Sequence, residues 1–312
     1  MPAPARSAQH APALGFTHRL LGRFHVTGVF WYRFAYWGFT KPPSWTEWIS
    51  VPVSAVFFFL VLSRIRGALA ANLEPVLGPA GRLESLARSF RTIWAFSWCF
   101  TERYRWLANP ERFSVLVEGE EHWRRAMEGA GGTIISTAHL GPWETATHSG
   151  ASNSPHRVHV VREHEIDPQA QRFVEELISR TNPGYVTHFA GQDLGLAVKL
   201  AAALRAGDVV ALQGDRPREG GRTVTVSLFG RPMVLPTGPA ALARATQSPL
   251  LPVFSFRDGR FRVRTTIRPP IVVAHTEDRD ADIAHAVQQL AREIEWAIRQ
   301  RPHQWFCFRR LW

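Results

Sequence analysis

From residue 111 onward, short runs of β-branched and aromatic residues alternate with longer segments of helical periodicity. Such alternation favours a largely parallel sheet covered by helices on both faces, because a parallel connection has to cross over the sheet. We therefore predict an α/β fold, with a largely parallel mixed sheet flanked by helices, over residues 111–312. The predicted strands are residues 114–117, 133–136, 157–161, 185–188, 209–212, 222–228, 250–256 and 261–267. The predicted helices are residues 120–128, 142–149, 168–180, 194–205, 239–245 and 280–299.

The first 110 residues lack this alternation and divide near residue 15. Residues 1–15 are rich in alanine and proline without apolar periodicity, so they are predicted to form a disordered tail. Residues 16–110 are predicted to form a hydrophobic, helical, membrane-associating segment, within which residues 83–106 have the spacing of one apolar helix face. Seven of the 12 tryptophans fall in this part of the chain, and indole rings favour the interfacial layer of a bilayer.

The most apolar run of the chain, ISVPVSAVFFFLVL at residues 49–62, leaves three possibilities open. Fourteen residues are fewer than the roughly 20 that a helix needs to span a bilayer, and an extension back to Trp45 includes Glu47. The run fits a tilted single anchor, a helix that lies in the membrane interface, or a buried core helix. Tryptophans and arginines flank the run, which favours the two alternatives with membrane contact.

The charge and the missing motifs exclude several classes of protein. Lys and Arg number 37 against 26 Asp and Glu, so the net charge is +11 with histidine neutral. No nucleic-acid-binding motif accompanies this charge, so an anionic membrane is the predicted partner and nucleic acid is not. Two cysteines are too few for a disulfide scaffold or a cysteine-rich zinc site, and no HExxH metal motif occurs, so no metal is predicted. No GxSxG elbow, P-loop or GxGxxG fingerprint occurs either.

The segment TIISTAHLGPWE at residues 133–144 carries the candidate catalytic pair. His139 follows a predicted strand at the edge where parallel sheets bind their ligands, and four residues separate it from Glu144. Gly141 permits a tight turn, so the Glu144 carboxylate is predicted to return and hold one imidazole nitrogen. The other nitrogen would then act as a base. The competing interpretation is a histidine satisfied by local hydrogen bonds at the end of a strand.

Three ordered motifs resemble the bacterial late acyltransferases of lipid A biosynthesis, within the lysophospholipid acyltransferase superfamily. They are HLGPWE, the block from Gly214 and Asp215 through SLFGRPMVLPTGPAALA to LPVF, and the terminal RPHQWFCFRRLW. The resemblance covers roughly residues 113–312 and implies a glycerolphosphate acyltransferase-like fold. It makes His139 the general base and Glu144 the acid that orients it.

The same resemblance implies a set of substrate-binding residues. Arg162 would contact a phosphate or sugar of the substrate, and Asp215 with Arg216 would be the counterpart of the third motif of the family. Arg231 and Thr237 would shape the pocket. Two alternatives stay open: Arg162 pairs only with a neighbouring glutamate, and Asp215 only begins a turn.

The implied activity is acyl transfer from the thioester of acyl carrier protein or acyl-CoA to a hydroxyl of a lipid A-type glycolipid. The resemblance places this enzyme at the cytoplasmic face of a bacterial inner membrane, with no cofactor besides the thioester donor. Two alternatives remain. One is the same chemistry on a lysophospholipid, an ornithine-type lipid or another glycolipid, and the other is a non-catalytic membrane-binding scaffold.

Overall fold

A computed structural model describes residues 28–129, 131–144, 156–181, 184–190, 195–218 and 220–312. The predicted tail at residues 1–15 and most of the predicted helix at residues 142–149 lie outside the described residues. The helices are α1 (Val29–Thr40), α2 (Glu47–Val61), α3 (Ser63–Leu77), α4 (Arg82–Ala108), α5 (Glu120–Met127), α6 (Pro168–Thr181), α7 (Leu196–Arg205), α8 (Gly238–Thr246) and α9 (Arg279–Gln300). The strands are β1 (Ser114–Glu118), β2 (Thr133–Thr137), β3 (Val158–Arg162), β4 (Tyr185–Phe189), β5 (Val209–Gln213), β6 (Thr223–Leu228), β7 (Arg231–Pro236), β8 (Leu250–Gly259) and β9 (Arg262–Ile267).

Seven of these strands form one sheet in the order β1-β9-β8-β2-β5-β3-β4. Strands β8, β2, β5, β3 and β4 are parallel neighbours, whereas β8 and β9 pair antiparallel and β9 pairs parallel with β1. The prediction of a largely parallel mixed sheet flanked by helices is therefore confirmed. Strand β2 lies near the middle of the sheet, and all five of its residues are buried.

Successive residues of the central strands pack into two separate cores, as the two-residue period of a strand requires. Ile134 lies in the core beneath α7, α8 and α9, and Ile135 lies in the core on the α5 side. Val210 and Val209 of β5 divide in the same way. Burial of each such side chain stabilises the fold by about 1.5–3 kcal/mol.

The strand predicted at residues 222–228 lies outside the main sheet. It is β6, which pairs antiparallel with β7 in a separate hairpin packed on α9. The side-chain amide of Gln288 on α9 accepts from the backbone N–H of Ser227 and donates to its carbonyl oxygen. The turn uses positive φ at both Phe229 and Gly230, as two-residue hairpin turns prefer.

Buried ion pairs fix the amino-terminal helices to the β8–β9 hairpin. Arg257 on β8 donates to both carboxylate oxygens of Glu102 on α4, at 2.8 and 2.9 Å. Glu47, at the start of α2, pairs with Arg105 on α4 and accepts from Arg260 at 2.9 Å. Both carboxylates are buried, so removal of Arg257 would leave Glu102 without its paired cation, a loss that typically costs about 3–5 kcal/mol.

The outer surfaces of α1 and α2 are apolar and exposed. Helix α2 buries Val51 and Ala55 in one narrow stripe, whereas Phe57 and Leu60 are 56% and 66% exposed. The stretch Ser44–Val61 has the length and composition of a membrane-crossing helix, and most of it is not buried. This exposure argues against the alternative of a buried core helix for the apolar run. Exposed aromatic residues continue along α1 at Phe30, Trp31, Phe34 and Trp37.

Candidate active site

The centre of the site is a hydrogen-bonded pair, His139 and Asp215, at the carboxyl edge of the sheet. Thr137 of β2 and Gln213 of β5 are register partners. His139 and Asp215, two residues beyond the end of each strand, are therefore neighbours. The Nδ1–H of His139 donates to Oδ1 of Asp215 at 2.8 Å, and its backbone N–H donates to Oδ2 at 3.0 Å. One carboxylate thus holds both the ring and the main chain of the histidine.

The electrostatics of Asp215 keep its carboxyl group ionised. Burial acts to raise its pKa, but the adjacent His139 imidazole, its hydrogen bonds and the Arg216 guanidinium bring the pKa below its ordinary value. An ionised carboxylate can only accept, so Nδ1 of His139 carries a proton. In the neutral imidazole, Nε2 is then the acceptor, and the side chain is 20% exposed.

The loop after His139 takes a shape that requires glycine at position 141. Gly141 has φ +55°, and a Cβ atom there would lie 2.3 Å from the carbonyl oxygen of Ser255. Its N–H donates to the carbonyl oxygen of Gln304 at 2.9 Å, and the N–H of Phe306 donates to the carbonyl oxygen of His139 at 2.9 Å. Residues 304–306, which we call the closing segment, therefore pair with residues 139–144, which we call the catalytic loop because they carry the candidate base.

The closing segment is itself held on its far side. The side chain of Gln304 accepts from the backbone N–H of Arg257 and donates to its carbonyl oxygen, both at 2.8 Å. The carbonyl oxygen of Phe306 accepts from the guanidinium of Arg216, which lies 3.7 Å from Oδ2 of Asp215. The catalytic loop is thus bounded by β8 and by the segment after β5.

The sequence predicted that the Glu144 carboxylate holds one nitrogen of the His139 imidazole. In the structure, Nδ1 of His139 is instead hydrogen-bonded to Asp215. The Glu144 carboxylate pairs with Arg103 on α4, and its Oε1 lies 3.8 Å from Nη1 of Arg162. The physical reason is that Trp143 and Glu144 already begin a helical turn, which directs this carboxylate towards α4. The role of Glu144 in catalysis stays a prediction.

Arg162, the last residue of β3, belongs to a charged cluster rather than standing alone. Its Nη2 lies 4.0 Å from Oε1 of Glu165, so the alternative of a neighbouring glutamate partner fits the geometry. The other oxygen of Glu165 accepts from the hydroxyl of Tyr32 at 2.6 Å. Burial and the Glu165 contact raise the pKa of Tyr32, which therefore remains a phenol. Asp167 accepts from the N–H of Val29 at 2.8 Å, so α1 is tied to the loop after β3.

An apolar pocket of about 130 Å³ lies beside His139. The indole of Trp143 is 5.3 Å from the imidazole, measured between ring centroids, and it lines the pocket. The other lining residues come from α4, the catalytic loop and the closing segment: Phe96, Cys99, Phe100, Arg103, Gly141, Pro142, Glu144 and Phe306. Among these lining residues only Arg103 and Glu144 carry charge, and they pair with each other.

Arg231 and Thr237 do not line this pocket. Arg231 stands over the ring of Trp312, at 5.9 Å from its centroid, and Nε1 of Trp312 donates to the carbonyl oxygen of Pro232. Thr237 donates to the carbonyl oxygen of Arg222 and immediately precedes α8. Their predicted role in shaping a substrate site stays a prediction.

Sequence reasoning placed Gln304 and Phe306 in the terminal motif without a contact to His139, and it assigned no role to Arg103 or Tyr32. The terminal RPHQWFCFRRLW motif was the available signal for the first two, because so many aromatic residues together indicate a packed position. Arg103 and Tyr32 carried no comparable local signal. Their partners Glu144 and Glu165 lie far along the chain.

A family model and two curated relatives agree on one enzyme class. The model of the bacterial lipid A biosynthesis acyltransferase family matches residues 37–312. Two relatives, the phosphatidylinositol mannoside acyltransferases of Mycobacterium tuberculosis strains CDC 1551 / Oshkosh and ATCC 25618 / H37Rv, are each 27% identical over 259 residues. The match covers 80% of this chain and 75% of each relative. The solved 1-acyl-sn-glycerophosphate (LPA) acyltransferase PlsC from Thermotoga maritima is 14% identical with a TM-score of 0.38, over 81% of this chain and 99% of that one.

Proposed function

Because the chain belongs to the bacterial lipid A biosynthesis acyltransferase family, we propose that it moves a fatty acyl group from a thioester to a glycolipid hydroxyl, with His139 as general base. Membership of this family identifies the protein as an acyltransferase. The observation that carries the finer proposal is the hydrogen bond from Nδ1–H of His139 to Asp215. This bond leaves Nε2 available to accept a proton from the acceptor.

The reaction needs no nucleophile from the enzyme. The acceptor hydroxyl donates its proton to Nε2 of His139 while its oxygen attacks the thioester carbonyl carbon. The tetrahedral intermediate then collapses: the carbon–sulfur bond breaks, and the imidazolium returns the proton to the departing thiolate. The products are an ester and a free thiol, and His139 is neutral again. A positioned base of this kind typically contributes about 10²- to 10⁴-fold.

Asp215 supports both halves of this cycle. Its carboxylate fixes the tautomer that leaves Nε2 basic, and its charge stabilises the imidazolium that forms. We assign it the orienting role that the sequence prediction assigned to Glu144. Glu144 instead holds the start of the following helical turn against Arg103.

The proposed acceptor is a lipid A-type glycolipid, and the donor is acyl carrier protein or acyl-CoA. The family acts in lipid A biosynthesis, and the two mycobacterial relatives are named as acyltransferases of a phosphatidylinositol mannoside, so both support a sugar-bearing acceptor. The net charge of +11 supports attraction to a phosphorylated lipid and to an acidic donor.

We further propose that α2 lies in the membrane interface and does not span the bilayer. Its 15 residues extend about 22 Å, less than the roughly 30 Å of a hydrocarbon core. Its first residue, Glu47, is held inside the protein by Arg105 and Arg260. Helix α3 follows at Ser63, and Asn72 on it is buried against the carbonyl oxygen of Cys307. Because Glu47 is held at one end of α2 and α3 returns to the protein beyond the other, we place the exposed face of α2 in the interfacial layer of the cytoplasmic leaflet of the inner membrane.

The activity is tested with purified protein, acyl thioesters of both carriers and a panel of acceptors analysed by mass spectrometry. The panel contains a lipid A precursor, a mannosylated phosphatidylinositol, a lysophospholipid and an ornithine lipid. Transfer to a glycolipid is expected for the natural protein and absent for His139→Ala. Normal turnover by a folded His139→Ala variant would remove His139 from its assigned role. Binding without transfer to any acceptor would favour a non-catalytic scaffold.

The membrane arrangement is tested by flotation with anionic vesicles at low and high salt. Retention at low salt with partial release at high salt is expected, because charge and apolar insertion both contribute. Extraction by alkaline carbonate without detergent is also expected for a helix in the interface. Resistance to carbonate would favour a spanning anchor.

A further inference from the structure

The closing segment has no role in the proposed reaction, yet two backbone hydrogen bonds pair it with the catalytic loop. Phe306 is its last residue and is 1% exposed. Its N–H donates to the carbonyl oxygen of His139, and its carbonyl oxygen accepts from Arg216, which neighbours Asp215. The peptide groups on either side of this one residue therefore connect the segment that carries the base to the segment that carries its orienting acid.

The ring of Phe306 has a role distinct from that of its backbone, because it lines the apolar pocket. It packs edge-on against Phe96 of α4, with centroids 5.2 Å apart, and lies 6.3 Å from the ring of Trp143. Trp143 in turn contacts the imidazole of His139. The pocket is therefore lined by the indole that packs on the imidazole of His139, and the Phe306 ring bounds it.

The chemistry of the pocket fits a saturated hydrocarbon chain. Aromatic rings, a cysteine, a glycine and a proline supply most of its surface, and its two charged residues are paired with each other. A polar sugar placed there would lose its hydrogen bonds to water without replacement, which is costly. An acyl chain loses none and gains contact with the rings.

We propose that Phe306 is a specificity-determining residue: its ring limits the acyl chain that the pocket accepts, while its peptide groups position His139 relative to Asp215. The proposal rests on the proposed acyl transfer. Removal of the ring enlarges the pocket and leaves the backbone contacts in place, so the choice of chain and the rate of chemistry become separable. The substrate class that this pocket recognises is the fatty acyl group of the thioester.

The test compares natural protein, Phe306→Leu, Phe306→Ala and Phe308→Ala on thioesters with chains of 8 to 18 carbons. Phe308→Ala is the matched control, because that ring packs on Phe96 and Phe306 but is not among the residues that line the pocket. We expect the ratio of kcat/KM for long over short chains to rise at least about tenfold in Phe306→Ala. A smaller rise is expected in Phe306→Leu and no change of optimum in Phe308→Ala.

Binding provides a readout that does not depend on turnover. The Kd of non-hydrolysable acyl-pantetheine thioethers of the same chain lengths is measured by calorimetry for each variant. A shift of the tightest-binding chain towards longer lengths in Phe306→Leu or Phe306→Ala supports the proposal. An unchanged chain-length profile in a folded Phe306→Leu variant overturns it. Absence of transfer by the natural protein, with chain-dependent thioether binding, would overturn the proposed function alone.

Discussion

The two sides of the catalytic loop use their acids differently. On one side Asp215, which is 4% exposed, is directed to the imidazole of His139 and to its main chain. On the other side Glu144, which is 25% exposed, lies between two arginines, Arg103 and Arg162. The acid that is close in sequence thus joins a charged network, and the acid that is distant in sequence joins the base. The difference teaches that sheet register, not local spacing, selects the partner of a base at the edge of a parallel sheet.

The two acids also connect the site to different parts of the molecule. Asp215 follows β5 in the middle of the sheet, where both neighbouring strands are fixed by the cores. Glu144 connects through Arg103 to α4 and through Arg162 and Glu165 to Tyr32 on α1. The first side carries the chemistry that we propose, and the second side joins the site to the helices that we assign to the membrane.

The largest effect should come from Asp215→Asn. The amide keeps the shape of the side chain but loses the charge and can favour the wrong tautomer, so kcat should fall by about 10³- to 10⁴-fold. The measurement is the rate of acyl transfer at saturating thioester, with circular dichroism as the control for folding. A loss smaller than that of Glu144→Gln would reverse the roles given to the two acids.

Glu144→Gln should have an intermediate effect. Arg103 and Arg162 would lose their shared counter-charge, which costs about 1–3 kcal/mol of stability for partly buried groups. The loop that carries His139 would also lose its contact with Arg103 and shift, so kcat/KM should fall by about 10- to 100-fold. Thermal unfolding and steady-state kinetics measure the two quantities. Retention of full activity with the same loss of stability would confine Glu144 to a structural role.

A still smaller effect is expected for Tyr32→Phe. The variant loses one hydrogen bond to Glu165 and should lose about 1 kcal/mol of stability. Tyr36→Phe, one turn further along α1, is the matched control, because its ring packs on Phe173 and Tyr104. Urea unfolding of the two variants in parallel makes the comparison. Equal losses would mean that the hydroxyl of Tyr32 contributes nothing through Glu165.

The smallest effect concerns acid stability. The pKa of Asp215 is lowered in the folded state, so its contribution to stability is fully present above the unfolded value of about 3.9 and is lost as pH falls through the folded pKa. Natural protein should therefore lose stability relative to Asp215→Asn below about pH 4. Urea midpoints between pH 7 and 3.5 measure this difference. If the difference in urea midpoint between the natural protein and Asp215→Asn stayed constant with pH, the pKa of Asp215 would not be lowered in the folded state.

Much of the fold could be predicted from the sequence because the central strands are buried on both faces. The run that became β2 is β-branched and uninterrupted, and its end fell within one residue of the prediction. Strand β7 was not predicted because Pro232 and Pro236 argue against a strand in the sequence. Prolines are tolerated there because the hairpin is short and lies outside the main sheet. Helix α3 lies within the segment predicted as helical, but its bounds were not predicted because Gly67 and Pro75 interrupt its pattern.

The site was predictable only where its signal was local. His139 and the requirement for Gly141 follow from the order of residues around one turn. Asp215 was predicted as a substrate-binding residue from the family resemblance, and its contact with His139 depends on the pairing of β2 with β5. The position of Phe306 depends on an antiparallel contact between Leu140 and Trp305 that no short stretch of sequence encodes.

The pairing of the closing segment with the catalytic loop has a consequence for the timing of biosynthesis. A ribosome makes His139 and Asp215 well before it makes Phe306, so a nascent chain holds both residues before the closing segment can pair with their loop. Helices α1 to α4 are also made before Phe306, so they can fold during this interval. The acyl transfer that we propose therefore requires that translation has passed Phe306.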